Sequence, residues 1–417
     1  MAFYKFFPTP SDRMGTIWTL STIKDAYIIE FGPAGTTHFA IEGMMQFNAD
    51  HNANVYTTHI NETDISFGKQ DRLENAILEI DGQYGPKYIF VMASSISAII
   101  GTDIESVCYE LQPKVKAKLI PITTGGYHGD HTLGIEATMD MLCKEVVQET
   151  VQKKPNTYNI VGNNGDVFNF LSDVEEIKNL MKSAFNFDVN TTFTAYTSME
   201  EIEKAGEAQF NLVLRGEGLK AADTLKKNHG MGYHYGRPYG LEGTTFWLKS
   251  LEKALGIPAD EQYIAKKTAE IRKHLMNYRF MTRGLNKKNV LLVGDYDVVV
   301  GLAALVEELG LTVEAIILKH KMNRKAKKHL PEKWERVMKL DYSEREMEAY
   351  LSETPSYLLL ADEATLKLEN KSKLHFQIAN PNFSKHSIYP YTPFVGYHGA
   401  LYFMQCLYEL QKGNPEA

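Results

Sequence analysis

With 417 residues the chain is too long for one ordinary hydrophobic core, and roughly 150 residues per domain suggests about three domains. Its 44% hydrophobic and 23% charged residues are those of a globular protein, and a formal net charge of -7 offers no basic field for DNA or RNA. No basic-then-apolar leader opens the chain, and the most apolar run, Tyr88 to Ile100, is too short for a bilayer and carries Ser94, Ser95 and Ser97. The chain therefore reads as cytoplasmic.

Residues 1–154 read as alternating strands and helices. Ala26 to Phe31 is an expected strand, ending in the glycine-punctuated turn Phe31-Gly32-Pro33-Ala34-Gly35-Thr36. Asn54 to Thr58, Tyr88 to Ala93 and Ala117 to Ile122 are further strands, and Asp71 to Asp81 and Thr102 to Leu111 are helices. Such alternation predicts a parallel sheet covered on both faces. The polar loop Thr123 to His131 follows and leads into a helix from about Leu133 to Gln152. Long polar loops at strand ends commonly carry function.

A second unit, 155–284, has strands at Tyr158 to Val161 and Asn211 to Leu214, with helices from Asp173 to Ala184 and from Leu219 to Asn228. Its glycine-rich loop Tyr233 to Thr245 precedes an expected helix Phe246 to Leu255, leaving two readings open: an anion site at a helix N-terminus, or a tight turn between packed elements. The third unit, 285–417, opens on a βαβ pattern: the stretch Lys288 to Asp297, helix Val298 to Gly310, strand Thr312 to Leu318. It lacks G-x-G-x-x-G, and the chain has no G-x-x-x-x-G-K-[ST] loop, which argues against a self-contained nucleotide enzyme using Gly294-Asp295. Lys319 to Lys328 reads as a solvated basic segment. Strands at Ser356 to Ala361 and Phe376 to Ala379, and a helix from Ala400 to Leu410, complete the chain. The expected architecture is α/β, with three Rossmann-like parallel-sheet domains.

Cys108, Cys143 and Cys406 lie far apart with no metal spacing and read as buried small hydrophobes.

Five stretches in order resemble nitrogenase component 1 proteins and their reductase relatives. They are Asp12 to Asp25; Phe31 to Phe39; Val55 to Gly68 with Arg72-Leu73; Tyr88 to Glu105; and Gly236 to Pro258 leading into Val290 to Gly310. The resemblance implies three domains around a central cleft and a homologous, cysteine-bearing partner subunit. It also implies electrons from a separate ATP-dependent iron-sulfur reductase, entering through a cluster at the subunit interface. Where the family places cluster-ligating cysteines, this chain has Ser11, Thr36 and Ser95. Neutral hydroxyls are poor substitutes for thiolates, so an iron-sulfur cluster at the interface is expected to be ligated mainly by the partner chain. In this the chain resembles the cysteine-poor subunit of dark-operative protochlorophyllide reductase. Ser11, Asp12, Gly32, Gly35, Thr36 and Ser95 are the expected cluster-facing residues; Asp12 and Glu30 are carboxylates near enough in sequence to reach its edge. Thr36 has the alternative reading of a turn or helix-start residue.

Leu214 or Arg215 stands roughly where a cofactor-ligating cysteine would lie, and Gly396-Tyr397-His398-Gly399 puts no histidine at a cofactor-ligand position, so no molybdenum cofactor is expected. The cleft is expected to gather Tyr127, His128, Asp130, His131, Tyr235, Arg237, Tyr239, Asp295 and His398. Of these, His128, Asp130, His131, Arg237, Tyr239 and His398 are the candidate catalytic residues, able to bind and protonate an organic or tetrapyrrole-like substrate. His128 and His131 also read as loop hydrogen-bonding residues, and no third metal ligand is apparent beside them. The functional expectation is a subunit of a nitrogenase-like reductase. The alternative is a redox-inactive scaffold or small-molecule-binding subunit that kept the fold.

Overall fold

The computed structural model describes residues 8–47, 54–150, 152–282, 287–384 and 391–413. Tyr389 and Pro390, which open the last loop before the C-terminal helix, lie outside the described residues. Among the described residues, thirteen strands form three all-parallel sheets. The first holds β1 (Tyr27–Phe31), β2 (Val55–Thr57), β3 (Tyr88–Ala93) and β4 (Lys118–Ile122) in the order β2-β1-β3-β4. The second holds β5 (Thr157–Asn163), β6 (Asp188–Thr194), β7 (Phe210–Val213) and β8 (Gly232–Tyr235) in the order β6-β5-β7-β8. The third holds β9 (Asn289–Gly294), β10 (Thr312–Leu318), β11 (Met338–Lys339), β12 (Ser356–Asp362) and β13 (Ser372–Ala379) in the order β11-β10-β9-β12-β13.

Every residue of β3, β7 and β12 is buried, as expected for strands covered by helices on both faces. In each sheet the chain runs outward on one side of its first strand and then returns to the other side. The reversal falls between β1 and β3, between β5 and β7, and between β9 and β12. Ligands of open α/β sheets bind outside the strand carboxyl ends at such switch points. The residues emerging there are Gly32 and Ser94-Ser95 in the first sheet, Asp166 and Arg215 in the second, and Asp295 in the third.

The units share cores. One apolar cluster joins the first sheet's helices to the second unit, with Ile17, Met139 and Phe193 all fully buried. A larger one joins the second and third units through Tyr158, Leu248 and Leu302. The last helix, Gly396–Gly413, begins against the second unit: the Phe394 amide before it donates to Asp173 at 2.8 Å, and the Tyr397 hydroxyl lies 3.0 Å from that of Thr245.

Several elements differ from the sequence expectation. The helix expected to reach Gln152 is His131–Glu145; beyond it the chain leaves the helical path, and the Gln148 amide bonds the Glu203 carbonyl at 2.9 Å instead. The strand β6 and the 21-residue helix Glu261–Met281 are not apparent from the sequence; the helix's apolar residues form no continuous stripe, and of them Ile264, Ile271 and Tyr278 are buried. The loop Tyr233 to Thr245 is in fact the end of β8 and the start of the helix Gly240–Leu255. Its N-terminus already holds an anion from within the chain: Glu308 accepts from the amides of Leu241 at 2.7 Å, Glu242 at 3.1 Å and Gly243 at 3.4 Å. The tight-turn reading therefore holds there, and the positive end of the helix is neutralised internally.

Candidate functional site

Two regions collect the residues singled out in the sequence. The first is the outer edge at the end of β1. Pro33 caps the helix Ala34–Met44, and the Thr36 hydroxyl donates to the Pro33 carbonyl at 2.9 Å within the first turn. Gly32 needs its missing side chain, since a Cβ there would come 2.4 Å from Ser94 Cβ. A Cβ on Gly126, whose φ is +96°, would stand 3.1 Å from Ser11 Oγ and 3.4 Å from Ser95 Oγ. Ser11, Thr36 and Ser95 thus line one half-buried edge, with Gly35 exposed beside them.

The side chains at Ser11, Thr36 and Ser95 are all hydroxyls. Cys108 and Cys143 are buried elsewhere, and Cys406 is half-buried on the last helix. Among the described residues the edge offers no thiolate, so this chain's side chains do not fit the ligation of an iron-sulfur cluster. Glu30 does not reach the edge: it lies fully buried, accepting from Arg13 and Thr37. Asp12 is also buried, with His128 Nδ1 3.4 Å from its Oδ2 and the His128 side chain 70% exposed. Tyr127 lies on the same outer face, its hydroxyl donating to the Ser95 carbonyl at 3.0 Å.

The second region is a partly open cavity of about 300 Å³ lined by residues of all three units. Trp18 and His131 come from the first, Asp166 from the second, and Asp295, Lys319 and His320 from the third. His131 is positioned by its place at the start of the helix His131–Glu145: Asp130 caps that helix, accepting from the Thr132 amide at 3.0 Å, and the His131 amide donates to the Pro10 carbonyl at 2.8 Å. The helix is clamped against Asp12–Ser21 by glycines, because a Cβ on Gly134 would lie 1.8 Å from the Asp12 carbonyl oxygen and one on Gly15 would lie 2.0 Å from that of His131.

His131 and His320 meet edge to face, with ring centroids 4.4 Å apart. Burial pushes both imidazoles down to about 4, each opposed by neighbouring carboxylates, so both rings are neutral at pH 7. Asp166 is engaged by Arg215, whose Nη1 donates to both carboxylate oxygens at 2.9 and 2.8 Å; Arg215 Nε donates to Glu217 at 2.7 Å. Lys319 pairs with Asp362 at 2.8 Å.

Of the expected site residues, Asp130, His131 and Asp295 line this cavity. Arg237 borders a smaller adjoining cavity with Asp297 and His320; its Nη1 donates to the Tyr239 hydroxyl at 3.3 Å, and its Nε and Nη2 are buried without partners. Tyr239 packs into the core against Gly301. Tyr235 donates to Asp297, whose carboxyl is pushed up to about 6 by burial and by Glu217. His398 lies elsewhere, its Nδ1 2.6 Å from Glu176 at the start of the last helix. His320 and Asp166 are the residues that sequence reasoning missed, and Arg215, singled out only as a position lacking a cofactor cysteine, proves to be the partner of Asp166. Asp166 and Arg215 follow β5 and β7, and His320 follows β10, so strand-end position was the available signal; the surrounding lysines had marked His320 as part of a solvated segment.

A family profile described as "Nitrogenase component 1 type Oxidoreductase" matches residues 11–412. The chain belongs to this family. Membership implies metal-sulfur clusters and a homologous partner subunit as general features of such proteins. Among its relatives is the nitrogenase iron-molybdenum cofactor biosynthesis protein NifE of Clostridium pasteurianum, 29% identical over 282 residues, covering 66% of this chain and 60% of that protein. The NifE of Methanosarcina barkeri is 27% identical over 321 residues, covering 71% of this chain and 66% of its own length. This chain thus spans about 60% of the length of the first of these relatives. A solved structure, "Nitrogenase Cp1 at pH 6.5", superposes with a TM-score of 0.80 at 18% identity, covering 100% of this chain and 95% of the other, which establishes the shared fold. No helix among the described residues is long and apolar enough to cross a membrane.

Proposed function

We propose that this chain is one subunit of a nitrogenase-like reductase. It pairs with a homologous subunit that carries the cluster cysteines, and the complex takes electrons from an ATP-dependent iron-sulfur protein. A small molecule occupies the cavity among the three units. The observation that carries the reading is the pairing of two features: an outer edge where Ser11, Thr36 and Ser95 stand together without a thiolate, and a separate, partly open cavity lined by His131 and His320. An edge so built leaves iron ligation to the partner, and exposed Phe39, Ile99 and Tyr127 near it supply apolar surface for that partner to cover.

The test is co-expression under anaerobic conditions with the homologous subunit. The chain alone is expected to be colourless, and the co-purified pair brown and EPR-active. Thr36→Cys is expected to alter the cluster spectrum of the pair. A co-purified complex without iron would overturn the reading.

A second reading, a scaffold or cofactor-binding subunit without redox turnover, is favoured by relatives described as cofactor biosynthesis proteins. It predicts ligand binding in the cavity with no ATP-dependent turnover, so turnover assays on the same complex separate the two.

A further inference from the structure

At one wall of the central cavity, single donor atoms of Asp130, His131 and His320 all lie within 4.8 Å of one another. Asp130 and His131 come from the start of one helix in the first unit. His320 comes from the end of β10 in the third, so only the folded chain assembles the group.

Three further features distinguish this group from an incidental polar cluster. The Nδ1 atoms of both imidazoles are buried without any hydrogen-bond partner, an arrangement that costs free energy unless something fills the position. The other nitrogen of each ring faces a carboxylate: His320 Nε2 is 3.4 Å from Asp295, and His131 Nε2 is 4.0 Å from Asp166. Metal-bound histidines characteristically direct their second ring nitrogen at such a carboxylate, which fixes the ring orientation. The charge balance is also negative. Arg215 is shared between Asp166 and Glu217, and among the described residues neither Asp130 nor Asp295 forms an ion pair with a lysine or arginine.

We propose that Asp130, His131 and His320 bind one divalent first-row transition-metal ion at the wall of this cavity, through one carboxylate oxygen and two ring nitrogens. Two imidazoles and one carboxylate form a donor set suited to zinc, ferrous iron or cobalt, and they leave coordination positions open toward the cavity. Ligands about 2.1 Å from a tetrahedral ion stand roughly 3.4 Å apart, so side-chain movements on the order of 1 Å close the site. The ion is distinct from a sulfide cluster, because among the described residues no cysteine lines the cavity. Its function there is to present a Lewis-acidic position to whatever the cavity holds.

The binding is read in the isolated chain, with neither partner nor electron donor, so its outcome is separate from that of the reductase reading. Tag-free full-length protein is stripped with a chelator and titrated with Zn²⁺ by calorimetry and with Co²⁺ by visible absorption. One equivalent is expected, with Co²⁺ d–d bands and a rise in melting temperature. His320→Gln and Asp130→Asn are each expected to weaken binding by at least about tenfold, since losing only an outer partner of a metal ligand already has that effect. Asn at position 130 still caps the helix, so its metal-free melting temperature checks that the fold is intact. Wild-type affinity in both variants, the absence of a stoichiometric site, or a thiolate-to-cobalt charge-transfer band would each overturn the proposal.

Discussion

Arg13 and Glu30 form a buried ion pair directly beneath the Gly32 to Thr36 turn, with the Glu30 side chain fully buried and that of Arg13 5% exposed. The same guanidinium donates through Nη2 to the Thr36 carbonyl at 3.1 Å, and Thr37 donates to the other Glu30 oxygen. The turn is therefore held from below by a polar network that uses both Arg13 Nη atoms and both Glu30 oxygens. Removing one partner leaves the other charge buried and unpaired. Glu30→Gln is expected to destabilise the chain by about 3–5 kcal/mol, measured by urea unfolding. A loss below about 1 kcal/mol would mean that water reaches Arg13.

Gly134 lies where the helix His131–Glu145 crosses the helix Asp12–Ser21, and a Cβ there would meet the Asp12 carbonyl oxygen at 1.8 Å. Backbone cannot yield as a flexible side chain can. Gly134→Ala is expected to cost more than about 2 kcal/mol, despite the better helix propensity of alanine. Because the clash would displace the first turn of the His131 helix, tryptophan fluorescence from Trp18, 5.5 Å from the His131 ring, is expected to change as well.

Glu308 caps the helix Gly240–Leu255 across a distance of more than 60 residues, with three backbone amides converging on its carboxylate. Glu308→Ala is expected to lower stability by about 1–2 kcal/mol, the scale of a lost cap combined with a lost dipole interaction. Thermal unfolding of the variant checks this, and an unchanged melting temperature would show that solvent replaces the carboxylate at no cost.

His234, on β8 beside Trp247, is pushed down to about 4 by burial, with His329 adding to the effect. Its ordinary value is about 6.5, so on acidification the unfolded chain takes up the proton first. The stability associated with the neutral ring is fully present above pH 6.5 and is lost as pH falls from about 6.5 toward 4. The loss is on the order of 2–3 kcal/mol over that window. His234→Phe keeps an aromatic ring against Trp247 and is expected to flatten this part of the acid limb in pH-dependent urea unfolding. An identical acid limb in the variant would refute the assignment.

The sequence alone determined the strand and helix alternation, the α/β class and the family resemblance, because these depend on local periodicity and on short motifs whose residues are neighbours in the chain. The strands Tyr88 to Ala93 and Thr312 to Leu318 were legible for that reason: the first is a continuous apolar run, and the second alternates exposed Thr312 and Glu314 with buried residues before the apolar Ala315 to Leu318. Ser11, Thr36 and Ser95 were singled out from motif register alone, and the structure places Ser11 and Ser95 on either side of Gly126. What the tertiary structure decided was which strand ends face one another. His320 sits among lysines in sequence, yet its ring packs against His131, 189 positions earlier, because β10 ends where the third sheet faces the first unit. Glu30 looked available to the outer edge and is instead consumed by Arg13 beneath it. His398 sits in a glycine-rich stretch like the other loops and ends on Glu176, because the last helix packs on the second unit rather than lining the cavity. Side-chain chemistry can be read locally, but the company each side chain keeps is set by packing between elements far apart in the chain.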